Sequence, residues 1–192
     1  MITLIIVDCQ NDFISGTMST KGAKTILPEI KRFVEKHRED IDKVLFTVDW
    51  HPYNHCSFKE QGGLWPRHCV QYSPGACIEP KLLKFIQSTN IPYQVCQKGD
   101  DATQEQYGAF EDIEFITNEH GQYYYFDSLY TANANTDFVV CGIAGDYCVK
   151  ATIENLLKES IPVKVFMPGI YSIDGGKVFS EFAKANKLKK IV

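Results

Sequence analysis

Along the chain, short apolar runs alternate with longer stretches in which apolar positions recur every three or four residues. Leu4 to Val7, Val44 to Val48, Tyr93 to Cys96, Phe138 to Cys141 and Val163 to Met167 are short and rich in β-branched or aromatic side chains, so they read as strands. Ile26 to Glu35, opened by Pro28, and Lys81 to Gln87, Val149 to Lys158 and Gly175 to Asn186 carry the helical period. Ala109 to Phe115 is expected to hold one more helical segment. Strands joined by helices imply βαβ units and a mostly parallel sheet covered on both faces, an α/β three-layer sandwich. There is no internal repeat and no low-complexity tract.

Composition narrows the class. A length of 192 residues with 44% hydrophobic content suits one domain spanning 1–192, large enough for a real core. The net charge of −4 offers no basic face for nucleic acid, and the cluster Lys187 to Lys190 is short and terminal. No apolar stretch reaches the roughly 18 residues of a membrane span. Met1 leads straight into a strand without a basic leader, so a cytoplasmic protein is expected. The seven cysteines follow no recurrent spacing, which favours reduced thiols over a disulfide framework. Oligomeric state is not legible, and a homo-oligomer stays open.

In open parallel sheets, ligands bind at the carboxyl ends of the strands. Asp8 follows the first strand, Asp49-Trp50-His51 the second, Lys98 the third and Cys148 the fourth, in Gly142-Ile143-Ala144-Gly145-Asp146-Tyr147-Cys148-Val149. Taken singly, a strand-end Asp is usually a cap, a Lys is solvated and a Cys packs. Together they bring a carboxylate, an amine and a thiol to one edge, with the thiol at a helix start where the dipole favours thiolate. Asp49 and His51, two apart, project to the same side of an extended segment and are suited to grip one ion. His68 offers a third ligand, with His55 and Glu60 in the same loop, and two His plus a carboxylate leave room for water or substrate. Cys56 and Cys69 with His51 and His68 are an alternative structural zinc set, although no CxxC pair supports it.

Five segments carry a family resemblance: Val7-Asp8-Cys9-Gln10-Asn11-Asp12-Phe13, the stretch Asp49 to Phe58, Gly62-Gly63-Leu64-Trp65-Pro66-Arg67-His68-Cys69-Val70, Lys98-Gly99 with Tyr107-Gly108-Ala109-Phe110, and the Cys148 segment. In this order they resemble the nicotinamidases, which are isochorismatase-like cysteine hydrolases. The resemblance implies that Cys148 is the nucleophile, Asp8 the proton acceptor and donor, and Lys98 the third catalytic member. It implies that Asp49, His51 and His68 hold one divalent metal, Zn foremost with Fe or Mn as alternatives, and that Glu60 joins in some relatives. Phe13 and Trp65 would wall the pyridine ring, with Tyr107 beside them. A cis bond at Ile143–Ala144 would turn the N–H groups of Ala144 and Cys148 into an oxyanion hole. Two positions depart from the pattern, with Gly145 where Thr is usual and Gly108 where Ser is usual.

The chemistry holds together on the residues alone. A primary carboxamide is a poor electrophile, so its hydrolysis needs an activated nucleophile, a proton donor for ammonia and an oxyanion site. Lys98 and the helix start are expected to lower the Cys148 thiol from its ordinary value of about 8.5, with Asp8 taking and returning the proton. The resemblance implies that the reaction is hydrolysis of nicotinamide to nicotinate and ammonia through a Cys thioester, a step of NAD salvage, with the metal anchoring the pyridine nitrogen. The rivals are a same-fold amidase for another small amide or ureido compound, a non-catalytic metal-binding module, and a thiol redox protein.

Overall fold

The computed structural model describes residues 1–111 and 136–192, together with the backbone of three short strands between them. In chain order the elements are β1 (Ile2–Val7), α1 (Asn11–Ile14), α2 (Ile26–Lys36), β2 (Ile41–Asp49), α3 (Pro80–Thr89), β3 (Tyr93–Lys98), β4 (Phe115–Thr117), β5 (Tyr123–Tyr125), β6 (Ser128–Ala132), β7 (Asp137–Ile143), α4 (Lys150–Lys158), β8 (Val163–Tyr171), α5 (Lys177–Ala185) and β9 (Lys189–Ile191). Six strands form one sheet in the order β3-β2-β1-β7-β8-β9, every pairing parallel. The strands β4, β5 and β6 form a separate antiparallel sheet.

Burial of the central strands on both faces explains their unbroken apolar runs. Along β1 the side chains alternate between two cores. Leu4 and Ile6 pack with Ile26, Ile30 and Phe33 of α2 and with Leu82 and Ile86 of α3. Ile5 and Val7 pack with Ile153 and Leu156 of α4 and with Phe179 and Phe182 of α5. The expected three-layer sandwich is therefore present, with α2 and α3 on one face and α4 and α5 on the other.

The chain runs outward from β1 through β2 and β3 on one side and from β7 through β8 and β9 on the other. The reversal between β1 and β7 leaves a crevice at their carboxyl ends, where such folds bind ligands. At this seam the strands approach so closely that a Cβ on Gly142, whose φ is +124°, would lie 2.1 Å from Val7 O.

Three departures from the sequence expectations stand out. Residues 109–111 of the expected helical segment form a turn and Phe115 opens β4, while 112–114 lie outside the described residues. β8 continues past Met167 to Tyr171, with a register irregularity against β7. The last strand, β9, was not anticipated because its sequence Lys-Lys-Ile is charged, a composition that suits an edge strand. Among the described residues no helix is long and apolar enough to cross a membrane.

Candidate active site

Asp8 follows β1 in a left-handed conformation, φ +48°, and is fully buried. Its Oδ1 accepts a hydrogen bond from Thr47 Oγ1 at 2.6 Å, and its Oδ2 lies 2.9 Å from Lys98 Nζ. Lys98, the last residue of β3, is 1% exposed, and its ammonium also pairs with Asp49 Oδ1 and donates to Cys148 Sγ at 3.6 Å. Cys148 sits in a π-helical turn, Gly145–Val149, immediately before α4. There the N–H groups of Tyr147 and Val149 both donate to Ala144 O at 3.0 Å. The Ile143–Ala144 peptide bond preceding this turn is cis. The structure thus brings together the thiol, the amine and the carboxylate of the strand-end census.

Their electrostatics follow from burial around a single cation. Burial opposes the Lys98 charge, but the Asp49 and Asp8 carboxylates outweigh it and hold the ammonium's pKa well above its ordinary value. Burial raises Asp8, Lys98 opposes that rise, and neighbouring Asp49 adds to it. Asp49 is held well below the usual carboxylate range: burial works against its charge, but Lys98 and the hydrogen bonds from His51 and His68 outweigh it. The Cys148 thiol departs from the sequence expectation. Burial lifts it well above the ordinary thiol value, Lys98 only partly counters this, and the Asp8 and Asp49 carboxylates push it further up. Burial thus favours the neutral thiol over the thiolate.

The metal-type residues also converge. Asp49, His51 and His68 offer ligand atoms that all lie within 4.8 Å of one another, and all three side chains are buried. His51 Nε2 and His68 Nε2 stand 3.5 and 3.7 Å from Asp49 Oδ2. His51 Nδ1 bonds Gly99 O at 2.8 Å and His68 Nδ1 bonds Pro66 O at 2.8 Å, so each ring directs Nε2 inward. Burial lowers His51, but Asp49 and the Gly99 carbonyl outweigh it and raise its pKa. Two converging imidazole nitrogens and a carboxylate suit a divalent ion.

The other metal candidates stand apart. Both ring nitrogens of His55 are engaged, with Nδ1 at 2.7 Å from Ser57 Oγ and Nε2 at 3.0 Å from Gln104 O. Glu60 is exposed and faces Arg67 Nε at 4.0 Å. Among the described residues Cys56 and Cys69 join no metal-capable group, so the structural zinc alternative is not assembled.

A pocket of about 530 Å³, including space open to solvent, joins the two centres. Its lining includes Cys148 and Ala144, the metal-type residues Asp49, His51 and His68, and the aromatic side chains of Phe13, Trp65 and Tyr107. Trp65 Nε1 donates to Tyr107 Oη at 3.1 Å, and Phe13 meets His68 edge-on with centroids 5.5 Å apart. Tyr147 and Tyr171 also line the pocket. The sequence reading did not include them, since Tyr147 is overshadowed by its neighbour Cys148 and β8 was expected to end before Tyr171. Gln10 and Thr47, which buttress Asp49 and Asp8, were missed because supporting residues have no chemical signature of their own.

The two departures from the family pattern have local causes. A Cβ on Gly145 would lie 2.2 Å from Ser172 Oγ, and one on Gly108 would lie 2.0 Å from Asn155 Oδ1. Both glycines make room for polar side chains from other elements, and neither lines the pocket.

The isochorismatase domain family model matches residues 3–89. A nicotinamidase from Schizosaccharomyces pombe is 33% identical over 78% of this chain and 73% of its own length. Among solved structures, a pyrazinamidase from Pyrococcus horikoshii in complex with zinc is 28% identical, with a TM-score of 0.75 over 99% of this chain and 98% of the other. The protein PnC1 from L. infantum, in complex with nicotinate, is 25% identical, with a TM-score of 0.76 over 99% and 91%. The fold is that of the isochorismatase-like hydrolases. Within that class the chain belongs to the nicotinamidase family, whose members are amidohydrolases.

Proposed function

We propose that this protein hydrolyses nicotinamide to nicotinate and ammonia through a thioester on Cys148, the deamidation step of NAD salvage. The observation that carries the reading is the contact of Cys148 Sγ with Lys98 Nζ at 3.6 Å, and of Lys98 Nζ with Asp8 Oδ2 at 2.9 Å, with Cys148 lining the same pocket as two inward-facing imidazoles. Burial raises Asp8, which makes it a better acceptor for the thiol proton than an ordinary carboxylate. Lys98 remains an ammonium throughout and compensates whichever of the two partners carries the negative charge.

Sγ attacks the carboxamide carbon, and the carbonyl oxygen becomes an oxyanion that the N–H groups of Ala144 and Cys148 receive. Asp8 returns the proton to the departing nitrogen, and the C–N bond breaks to release ammonia and leave the thioester. Water then adds to the acyl carbon while Asp8 accepts its proton. The C–S bond breaks, Asp8 gives that proton to the departing sulfur to restore the thiol, and the acid leaves as nicotinate after losing its own proton to water.

Asp49, His51 and His68 would hold the divalent ion, with zinc supported by the P. horikoshii relative. When bound, that ion supplies a Lewis acid for the ring nitrogen of a pyridine. Phe13, Trp65 and Tyr107 supply a flat aromatic slot for the ring. Release of ammonia from nicotinamide by the purified protein tests the reading. Cys148→Ala should abolish it without changing the circular dichroism spectrum, and retention of more than a few per cent of the rate would exclude the covalent route.

A further inference from the structure

We propose that Gln10 and Asp12, neither of them able to reach substrate or metal, are positioning residues that clasp the backbone of two metal-ligand segments and hold the ligands converged. The proposal rests on the metal reading of Asp49, His51 and His68. The β1–β2 ladder ends at the pair Val7 and Thr47, two residues before Asp49. Beyond that point the side-chain amide of Gln10 continues the ladder as a peptide group would. Its Oε1 accepts from Asp49 N at 2.8 Å, and its Nε2 donates to Asp49 O at 2.8 Å and to Ala76 O at 2.9 Å. Gln10 is fully buried, and only a primary amide offers a donor and an acceptor side by side in this way. Fixing Asp49 matters twice, because Oδ2 faces the two imidazoles while Oδ1 pairs with Lys98.

Asp12 does the same for the other ligand segment. Its Oδ2 accepts from the N–H of Cys69, the residue after His68, at 2.8 Å, and its Oδ1 accepts from Thr17 N at 3.2 Å. Cys69 has a φ of +46°, and its carbonyl accepts from His51 N at 3.0 Å, so this one residue links the His68 segment to Asp12 and to the Asp49 segment. A Cβ on Gly75 would lie 2.1 Å from Asp12 Oδ2, so the side chain is closely packed as well as bonded. One short stretch after β1 therefore sets the separation of ligands that come from two other parts of the chain.

The test measures zinc affinity by competition with a chromophoric chelator, alongside the melting temperature of the zinc-free protein, for wild type, Gln10→Glu, Gln10→Met and Asp12→Asn. Gln10→Glu keeps the acceptor for Asp49 N but sets a carboxylate against two carbonyls. Groups that orient metal ligands typically change affinity by roughly 10–100-fold, and a weakening in that range is expected for both Gln10 variants. Asp12→Asn, which keeps its size and one acceptor, should weaken binding several-fold. Lower melting temperatures with unchanged zinc affinity would overturn the proposal and reduce both residues to structural supports. Should the Gln10 variants fail to fold, unchanged affinity in Asp12→Asn would overturn it equally. A wild-type protein that binds no zinc would overturn the metal reading and this proposal together, whereas tight wild-type binding with unaltered variants would overturn this proposal alone.

Discussion

Lys98 serves two centres at once, because its buried ammonium pairs with Asp8 on the thiol side and with Asp49 on the metal side. Replacing it with Met would leave two buried carboxylates facing each other without a counter-charge. Breaking a buried pair in this manner costs on the order of 3–5 kcal/mol, so Lys98→Met should lose stability in urea as well as several decades in rate. Asp8→Asn is expected to lose rate on the same scale while costing less stability, since it removes a charge instead of stranding one. A Lys98→Met protein with near-native ammonia release would remove Lys98 from the catalytic group.

His55 makes a second claim at the scale of one residue. Burial, reinforced by neighbouring His51, pulls its imidazole down to about 4 from an ordinary 6.5. Because the folded value lies below the unfolded one, the unfolded chain binds the extra proton between these values. The contribution is fully present above pH 6.5 and is lost as pH falls towards 4. It amounts to at most about 3 kcal/mol. Metal-free protein should therefore show a urea midpoint that declines over this window, with a shallower decline in His55→Gln. Equal slopes for the two proteins would contradict the assignment of His55 as a buried neutral histidine.

At the scale of elements, the π-helical turn before α4 shows how neighbouring elements decide a local residue. A Cβ on Gly145 would meet the Ser172 hydroxyl, just past the end of β8, at 2.2 Å and Ile170 Cγ2 at 2.9 Å. Gly145→Thr, which restores the residue more usual in the family, should therefore destabilise by roughly 1–3 kcal/mol through overpacking. Ser172→Gly in the same chain should recover part of that loss. Thermal unfolding of the single and double variants measures it, and an equal loss in both would show that Ser172 is not the obstacle.

The same turn marks the limit of what the sequence discloses. The strand ends carrying Asp8, Asp49, Lys98 and Cys148 were legible because apolar runs and a following polar residue are local patterns. The resting state of the Cys148 thiol was not, since it depends on burial by elements distant in the chain, and burial outweighs the nearby ammonium. The clasp by Gln10 and the fit at Gly145 are likewise contacts between side chains and remote backbone or side-chain atoms, which no spacing encodes. The extension of β8 to Tyr171 escaped notice because Pro168 and Gly169 read as a strand terminus, yet β8 absorbs them at a register irregularity.

For the whole molecule, the order β3-β2-β1-β7-β8-β9 is what turns scattered residues into one site. Reversal of strand order at β1 and β7 opens the crevice, and the ends of β1, β2 and β3 and the turn after β7 deliver two carboxylates, a cation and a thiol to it. Asp49, His51 and His68 line the same pocket as Cys148, and an Asp49 carboxylate oxygen lies within 4.8 Å of the thiol sulfur. In the proposed function the metal holds the ring and the thiol breaks the amide. The two roles separate in a comparison of nicotinamide with benzamide, which has the same carboxamide and no ring nitrogen to coordinate. The decisive measurement is the nicotinamide-to-benzamide ratio of kcat/KM for the zinc-loaded, chelated and His51→Ala proteins. The account predicts a ratio that falls steeply in the latter two, with benzamide turnover little changed. A ratio that stays constant across all three would contradict the anchoring of the pyridine nitrogen by the metal.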